Sequence, residues 1–67
     1  MAKIQINGKK VVIKQNFSVQ DVLKKYRLYR KKVAVELNGK ILPQNEYKKK
    51  VLKNNYKIEI VQFIGGG

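Results

Sequence analysis

The chain has 67 residues, four carboxylate side chains, no cysteine, no histidine and a formal net charge of +12. This length is enough for one domain with one modest core, and the missing residue types exclude disulfides, zinc fingers, thiol catalysis and histidine-based acid–base chemistry. The carboxylates are scattered singly, so none is a candidate for general acid–base catalysis or for a metal cage, and we expect no catalytic residue, no metal and no bound cofactor.

The positive charge raises the question of a polyanionic partner. Basic proteins often bind nucleic acid, but arginine, which suits bidentate phosphate and guanine contacts, is nearly absent: lysines outnumber arginines 14 to 2. The abundance of Lys, Ile, Asn and Tyr also fits AT-rich codon usage. The composition therefore disfavours nucleic acid as the main partner and leaves open an acidic protein partner.

No apolar run approaches the roughly 20 residues that span a bilayer. The N-terminus lacks the apolar region of a signal peptide, because Ile4 and Ile6 alternate with polar residues. We therefore expect no membrane association, and a location in the cytoplasm or an organellar stroma.

The first predicted elements are a β-hairpin and a helix. Residues 3–14 alternate around Asn7-Gly8, a pair that tolerates positive φ and favours a type I′ turn. Ser18 and Asp21 approximate a capping box, which places the helix start at Ser18. Apolar residues then recur at helical spacing and predict one stripe facing the core: Val19, Val22, Leu23 and Tyr26.

Two groups of cations follow, and each has a structural explanation. The first lies near the predicted C-terminus of the helix, where cations suit the helix dipole: Lys24, Lys25, Arg30, Lys31 and Lys32. The second, residues 48–50, is interpreted as a solvated face.

The second half of the chain predicts three more strands and a helical turn. Residues 33–38 alternate, a second Asn-Gly turn follows at Asn38-Gly39, and a short strand at residues 40–42 ends at Pro43, which cannot donate to a sheet ladder. A helical turn at residues 45–47 and a turn at Asn54-Asn55 precede a last strand over residues 56–64. This order predicts an α+β fold with the helix across one face of the sheet.

The last predicted strand has one face for the core and one for solvent. Its core face carries Ile58, Ile60 and Ile64, and its outer face carries Glu59, Val61 and Phe63. Single exposed apolar residues are ordinary, but Val61 and Phe63 lie together just before the end of the chain. They are candidates for a docking patch.

The chain closes with Gly65-Gly66-Gly67 directly after this strand. Glycine allows extended backbone to enter a narrow slot, so we predict that this tail delivers the Gly67 carboxylate into another protein's catalytic centre; the alternative is a cloning scar or a frayed terminus. A carboxylate is a poor electrophile. Transfer of AMP from ATP would activate it, and a sulfur nucleophile could then displace AMP to leave a thiocarboxylate. The predicted organisation is a domain over residues 1–64 and a flexible tail over residues 65–67.

Several segments carry a family resemblance. They are IQING at residues 4–8, SVQDVL at 18–23, VAVELNG at 33–39, Leu42-Pro43, and IEIVQFIGGG at 58–67. Their order, the chain length and the Gly-Gly end resemble the ubiquitin-like β-grasp sulfur carriers, and most of all the ThiS family of thiamine biosynthesis. The chain departs from that family in its strong positive charge, in Tyr47 where tryptophan is common, and in Asn55-Tyr56 where a Gly-Asp turn is common.

The resemblance implies a fold, a chemistry and a set of partners. The fold would be a mixed four- to five-stranded sheet with one main helix packed across it. A ThiF-like adenylyltransferase would use ATP to adenylate Gly67, a sulfur donor system would convert it to a thiocarboxylate, and a ThiG-like thiazole synthase would take the sulfur for the thiazole of thiamine. Gly65 and Gly66 would serve tail recognition, and Val61 and Phe63 would dock on the partner.

Three other functions remain open. A MoaD-like carrier of molybdopterin synthesis shares the fold, the tail and the activation step. A ubiquitin-related modifier would conjugate Gly67 to lysines after the same first step. A basic RNA-binding β-grasp module would group its lysines on one face and bind in a salt-sensitive manner, but it gives no reason for the glycine end.

Overall fold

The computed structural model describes residues 1–63. The elements in chain order are β1 (Ala2–Ile6), β2 (Lys9–Ile13), α1 (Val19–Lys25), β3 (Val33–Leu37), β4 (Lys40–Leu42), the 3₁₀ turn η1 (Gln44–Glu46) and β5 (Lys57–Gln62). The strands form one five-stranded sheet in the order β2-β1-β5-β3-β4. β1 and β5 are parallel and the other neighbouring pairs are antiparallel, which confirms the predicted α+β fold with a mixed sheet.

Both Asn-Gly turns form as predicted. Asn7 and Gly8 have φ values of 50° and 84°, and Asn38 and Gly39 have φ values of 52° and 86°. Positive φ at both central residues is the geometry of a type I′ turn, whose twist matches that of the flanking strands. These turns fix the registers Ile6↔Lys9 and Leu37↔Lys40 at the two hairpin ends.

The predicted capping box at the start of α1 is also confirmed. The Asp21 N–H donates to Ser18 Oγ at 3.1 Å, and the Ser18 N–H donates to an Asp21 carboxylate oxygen at 2.9 Å. Two backbone donors that helix geometry leaves without a partner are satisfied in this way. α1 therefore begins at a defined residue although it is only 7 residues long.

The prediction that Tyr26 belongs to the core is wrong. Tyr26 is 42% exposed, whereas Val19, Val22 and Leu23 are almost fully buried. The helix ends at Lys25, Tyr26 is the C-cap, and the chain turns away at Arg27, whose φ is 62°. Helical spacing places Tyr26 on the apolar stripe only if the helix continues, and it does not.

The core lies between α1 and one face of the sheet. Val19, Val22 and Leu23 of α1 belong to the same buried cluster as Ile4, Ile6, Ile13, Val35, Leu37, Leu42, Ile58 and Ile60 of the strands. Among the described residues, no buried side-chain nitrogen or oxygen lacks a hydrogen-bond partner. The helix thus covers one face of the sheet, and the other face is left to solvent.

The last strand is shorter than predicted. β5 covers Lys57–Gln62 rather than residues 56–64, and Ile58 and Ile60 are buried as expected. Phe63 lies after the end of β5, so the predicted alternation between the two faces of the strand does not extend to it. Ile64, and with it the predicted tail at residues 65–67, lies outside the described residues.

Candidate functional site

β5 leads to the predicted reactive end of the chain, and it lies at the centre of the sheet. It pairs with β1 on one side and with β3 on the other, and the β3 pairing continues to the last residue of the strand as Val33↔Gln62. The Phe63 N–H then donates to the Lys32 carbonyl at 2.9 Å. The backbone is therefore held by hydrogen bonds up to Phe63, four residues before Gly67.

A side chain from the first hairpin holds β5 as well. The Ile60 N–H donates to Asn7 Oδ1 at 2.7 Å, and Asn7 Nδ2 donates to the Ile60 carbonyl at 3.3 Å. The Asn7 backbone N–H donates to the Ile58 carbonyl at 3.0 Å. β1 ends at Ile6, where the chain turns into the hairpin. The side-chain amide of Asn7 therefore makes the two hydrogen bonds to Ile60 that backbone groups of a longer β1 would make.

Val61 and Phe63, the predicted docking residues, are both exposed at this end of β5, with exposed fractions of 59% and 56%. Val61 follows the buried Ile60 and pairs with Ala34, so it lies on the face of the sheet opposite the helix. Phe63 lies beyond the strand and lines a cleft to which Val61 does not contribute. The structure brings both residues to the start of the predicted tail, and their docking role remains a prediction.

The cleft lies between the loop from α1 to β3 and the turn η1, and it has a volume of about 600 Å³. Phe63, Tyr29 and Tyr47 are its aromatic residues, and its cationic residues are Arg30, Lys31, Lys32 and Lys48. All four cationic residues are exposed. We call this feature the tail-root cleft, because Phe63, the last residue that the structure describes, is one of its lining residues.

The two tyrosines of the tail-root cleft are held in different ways. Tyr47 packs against the hydrophobic core, and burial raises the pKa of its phenol above the usual value of 10.0. Tyr29 lies under the Lys24 ammonium, with Nζ 4.9 Å from the ring centroid, a distance suited to a cation–π interaction. The Tyr29 contact links the loop that carries Arg30 to Lys32 to the end of α1.

The tail-root cleft was not predicted from the sequence. Arg30, Lys31 and Lys32 were interpreted as partners of the helix dipole, and Lys48 as part of a solvated face. The two groups are separated by two strands in the chain, and only the fold brings them together with Phe63. The weak signal in the sequence is the density of positive charge in both runs.

The described residues offer neither a metal site nor a membrane span. Among residues 1–63 no group of three or more His, Cys, Asp or Glu side chains could hold a metal ion. The helical segments that the structure describes include none long and apolar enough to cross a membrane. Gly65, Gly66 and Gly67 lie outside the described residues, so the predictions made for them rest on sequence.

Comparison with known proteins places this arrangement in a family. A model described as the ThiS family matches residues 2–67. The sulfur carrier protein ThiS of Bacillus subtilis is 42% identical over 65 residues, which cover 96% of this chain and 98% of that protein. A thiazole synthase of Paramagnetospirillum magneticum is 37% identical over 65 residues, which cover 97% of this chain but 20% of that longer protein.

A solved structure supports the same assignment. The crystal structure of the thiamine biosynthesis protein ThiS from Geobacter metallireducens superposes with a TM-score of 0.80 at 26% identity. The match covers 97% of this chain and 99% of that one, so it includes the whole sheet and the helix.

Proposed function

The chain belongs to the ThiS family, and on that premise we propose that it is a sulfur carrier working through the carboxyl group of Gly67. The observation that carries the proposal is that the family match extends through residue 67, and so includes the glycines that follow the central strand. The sulfur it carries is destined for the thiazole of thiamine.

The proposed chemistry takes place at the terminal carboxylate. A carboxylate oxygen attacks the α-phosphorus of ATP and pyrophosphate leaves, which gives an acyl adenylate. A sulfur nucleophile then adds to the carbonyl carbon and AMP leaves with the electron pair of the broken C–O bond. When the nucleophile is the terminal sulfur of a persulfide donor, the product is an acyl disulfide. A second thiol then attacks the donor's own sulfur in that S–S bond, which leaves the donor as a disulfide and releases the thiocarboxylate, with sulfur in place of one carboxyl oxygen. ATP is used by the activating partner, a ThiF-like adenylyltransferase.

In this reaction the chain is a co-substrate, and its own side chains serve recognition. Asp21, one of only four carboxylate side chains, is engaged in the capping box of α1. Val61 and Phe63 supply exposed apolar area next to the tail, and Gly65 and Gly66 leave the backbone thin enough for a narrow slot. The activating enzyme would supply the acid–base groups, the nucleotide site and any metal ion.

The second proposed partner is a ThiG-like thiazole synthase. Support comes from the Paramagnetospirillum protein, in which a segment similar to this chain is part of a polypeptide named thiazole synthase. A covalent connection between the two would keep carrier and synthase at high effective concentration. A carrier on a separate chain must instead bind its synthase after each activation.

The proposal is tested by intact mass after incubation with ATP, a ThiF-like adenylyltransferase and a sulfur donor. We expect the mass to rise by one oxygen-to-sulfur exchange. A variant lacking Gly66 and Gly67 should show no change, because its carboxyl group is shortened by about 7 Å and cannot reach the same atoms. Its thermal unfolding should match that of the full chain. If the full chain forms neither adenylate nor thiocarboxylate, or if the shortened variant reacts equally well, the proposal fails.

The pathway needs a second measurement. The thiocarboxylate form should support thiazole formation by a ThiG-like synthase, and the unmodified form should not. Sulfur transfer to a molybdopterin precursor instead would assign the chain to the related carrier function. Stable adducts with protein lysines would assign it to the modifiers.

A further inference from the structure

The tail-root cleft is strongly positive. Four cationic side chains line it, and no carboxylate is found among its described lining residues. The described carboxylates lie elsewhere: Asp21 caps α1, Glu36 and Glu59 face each other across β3 and β5, and Glu46 lines a different cavity. Four of the 16 cationic residues of the chain therefore line the cleft that includes Phe63. A second cavity, at the start of β1 and β5, is lined by Lys3, Lys10 and Lys57, so position beside Phe63 rather than positive charge alone distinguishes the tail-root cleft.

The helix dipole does not explain these cations. α1 ends at Lys25, and Arg30 is five residues further along the chain. The favourable effect of a helix C-terminus extends only over its last turn, which here contains Lys24 and Lys25. Arg30, Lys31, Lys32 and Lys48 are all exposed and all line the same cleft, an arrangement that is complementary to an acidic surface on a partner.

The position of the cleft restricts what that counterpart can be. The Lys32 carbonyl accepts a hydrogen bond from Phe63, so the cations lie beside the backbone from which the last four residues continue. Four residues span at most about 14 Å. Any enzyme that acts on Gly67 must therefore bring the entrance of its active-site slot close to the tail-root cleft.

We propose that the tail-root cleft docks against an acidic rim around the slot of the adenylating partner. This inference rests on the proposed function and adds to it the chemistry of the surface that the partner presents. The exposed cations would accelerate encounter and align the tail with the slot, while Val61 and Phe63 would supply the apolar contact. The adenylating partner is proposed because it must take up the Gly67 carboxylate before any later step can occur. It meets the carrier again in every round, and such repeated encounters benefit from a fast association rate.

The experiment compares two charge-reversed variants with the same net charge. In the cleft variant Arg30, Lys31 and Lys32 are replaced by Glu. In the control variant Lys3, Lys14 and Lys53 are replaced by Glu; these residues are exposed and lie at the opposite end of β1 and β5. Steady-state adenylation by a ThiF-like adenylyltransferase from the same genome is measured at low and high salt.

We expect kcat/KM of the cleft variant to fall by about tenfold or more at low salt, through KM, because electrostatic steering raises association rates by that order. At high salt, the difference in kcat/KM between the cleft variant and the wild type should shrink. At low salt, kcat/KM of the control variant should fall by less than about threefold. Replacement of acidic residues at the partner's slot entrance by Lys should restore the cleft variant and impair the wild-type chain.

The outcomes separate this inference from the proposed function. If the wild-type chain is not adenylated at all, the proposed function itself fails. If it is adenylated and the two variants behave alike, the charge acts non-specifically and the inference is overturned. A loss that persists at saturating carrier and at high salt would also overturn it, because that result indicates damage to the fold or to the chemistry rather than weakened docking.

Discussion

Asn7 combines two roles, one in its backbone and one in its side chain. Its φ of 50° forms the first half of the hairpin turn, and its side-chain amide makes two hydrogen bonds to Ile60, 53 positions away. Asn38 repeats the combination, with a φ of 52° and an Oδ1 that accepts from the Lys57 N–H at 2.9 Å. β5 is thus fastened at two points, each time by the asparagine of a neighbouring hairpin.

Replacement of Asn7 by Ala should lower the free energy of unfolding by about 2–3 kcal/mol. About 1 kcal/mol comes from placing a residue without a local hydrogen-bonding side chain at positive φ, and the rest from removal of the hydrogen bonds to Ile60. Thermal or urea unfolding measures the change. Asn7→Gly is the matched control, because glycine tolerates the turn and removes only the side-chain bonds. If Asn7→Gly is as stable as the wild type, the bonds to Ile60 contribute nothing.

At the scale of the element, α1 ends in a Schellman motif built without glycine. The Leu28 N–H donates to the Leu23 carbonyl at 2.7 Å, and the Arg27 N–H donates to the Lys24 carbonyl at 3.1 Å. Arg27, the first residue after the C-cap Tyr26, has a φ of 62°. Glycine adopts this conformation at little cost and arginine does not. The half-buried Leu28 packs against the core and fixes the turn.

Arg27→Gly should therefore stabilise the protein, by about 0.5–1 kcal/mol after the greater freedom of glycine in the unfolded chain is subtracted. For a domain of this size that corresponds to a rise in Tm of roughly 2–8 °C. Arg27→Ala serves as the control, since it removes the same charge but keeps a side chain at positive φ. Equal stabilisation by both substitutions would show that charge, and not backbone conformation, is responsible.

At the scale of the whole molecule, the sheet face opposite the helix carries exposed apolar residues at several places. Val12 is 53% exposed, Ile41 is 68% exposed and Val61 is 59% exposed. Val12 pairs with Lys3 near the start of β1, whereas Val61 lies near the end of β5. Of these three, Val61 alone is both central in the sheet and close to the predicted tail, so position rather than exposure distinguishes it.

Val61→Ser should raise the KM for adenylation by about fivefold, which corresponds to about 1 kcal/mol less apolar burial at the docking surface. Val12→Ser should change KM little, although it makes the same substitution at a similarly exposed site. Both variants should unfold at nearly the wild-type temperature, since neither side chain is buried. Equal effects on KM at the two positions would exclude a specific docking role for Val61.

The sequence by itself determined the local features: both Asn-Gly turns, the capping box of α1, the buried faces of the strands and the family resemblance. The turns, the cap and the strand faces depend on residues a few positions apart, where backbone sterics and a two- or four-residue spacing decide the outcome. The resemblance depends instead on the order of several segments along the whole chain. The same reasoning failed at Tyr26, because the spacing of a stripe does not show where a helix stops. The helix ends early because Arg27 has a positive φ, and the sequence has no glycine at that position to indicate a helix end.

Only the tertiary structure decided the order of the strands. Every contact between residues that are far apart in the chain depends on that order. The central position of β5, the bonds from Asn7 to Ile60, and the gathering of Arg30, Lys48 and Phe63 around one cleft all follow from that order. The physical reason is that strand pairing is selected by burial of the whole apolar set against α1, a property of the complete chain. No short segment contains that information, whereas the turns and the cap are complete within four residues.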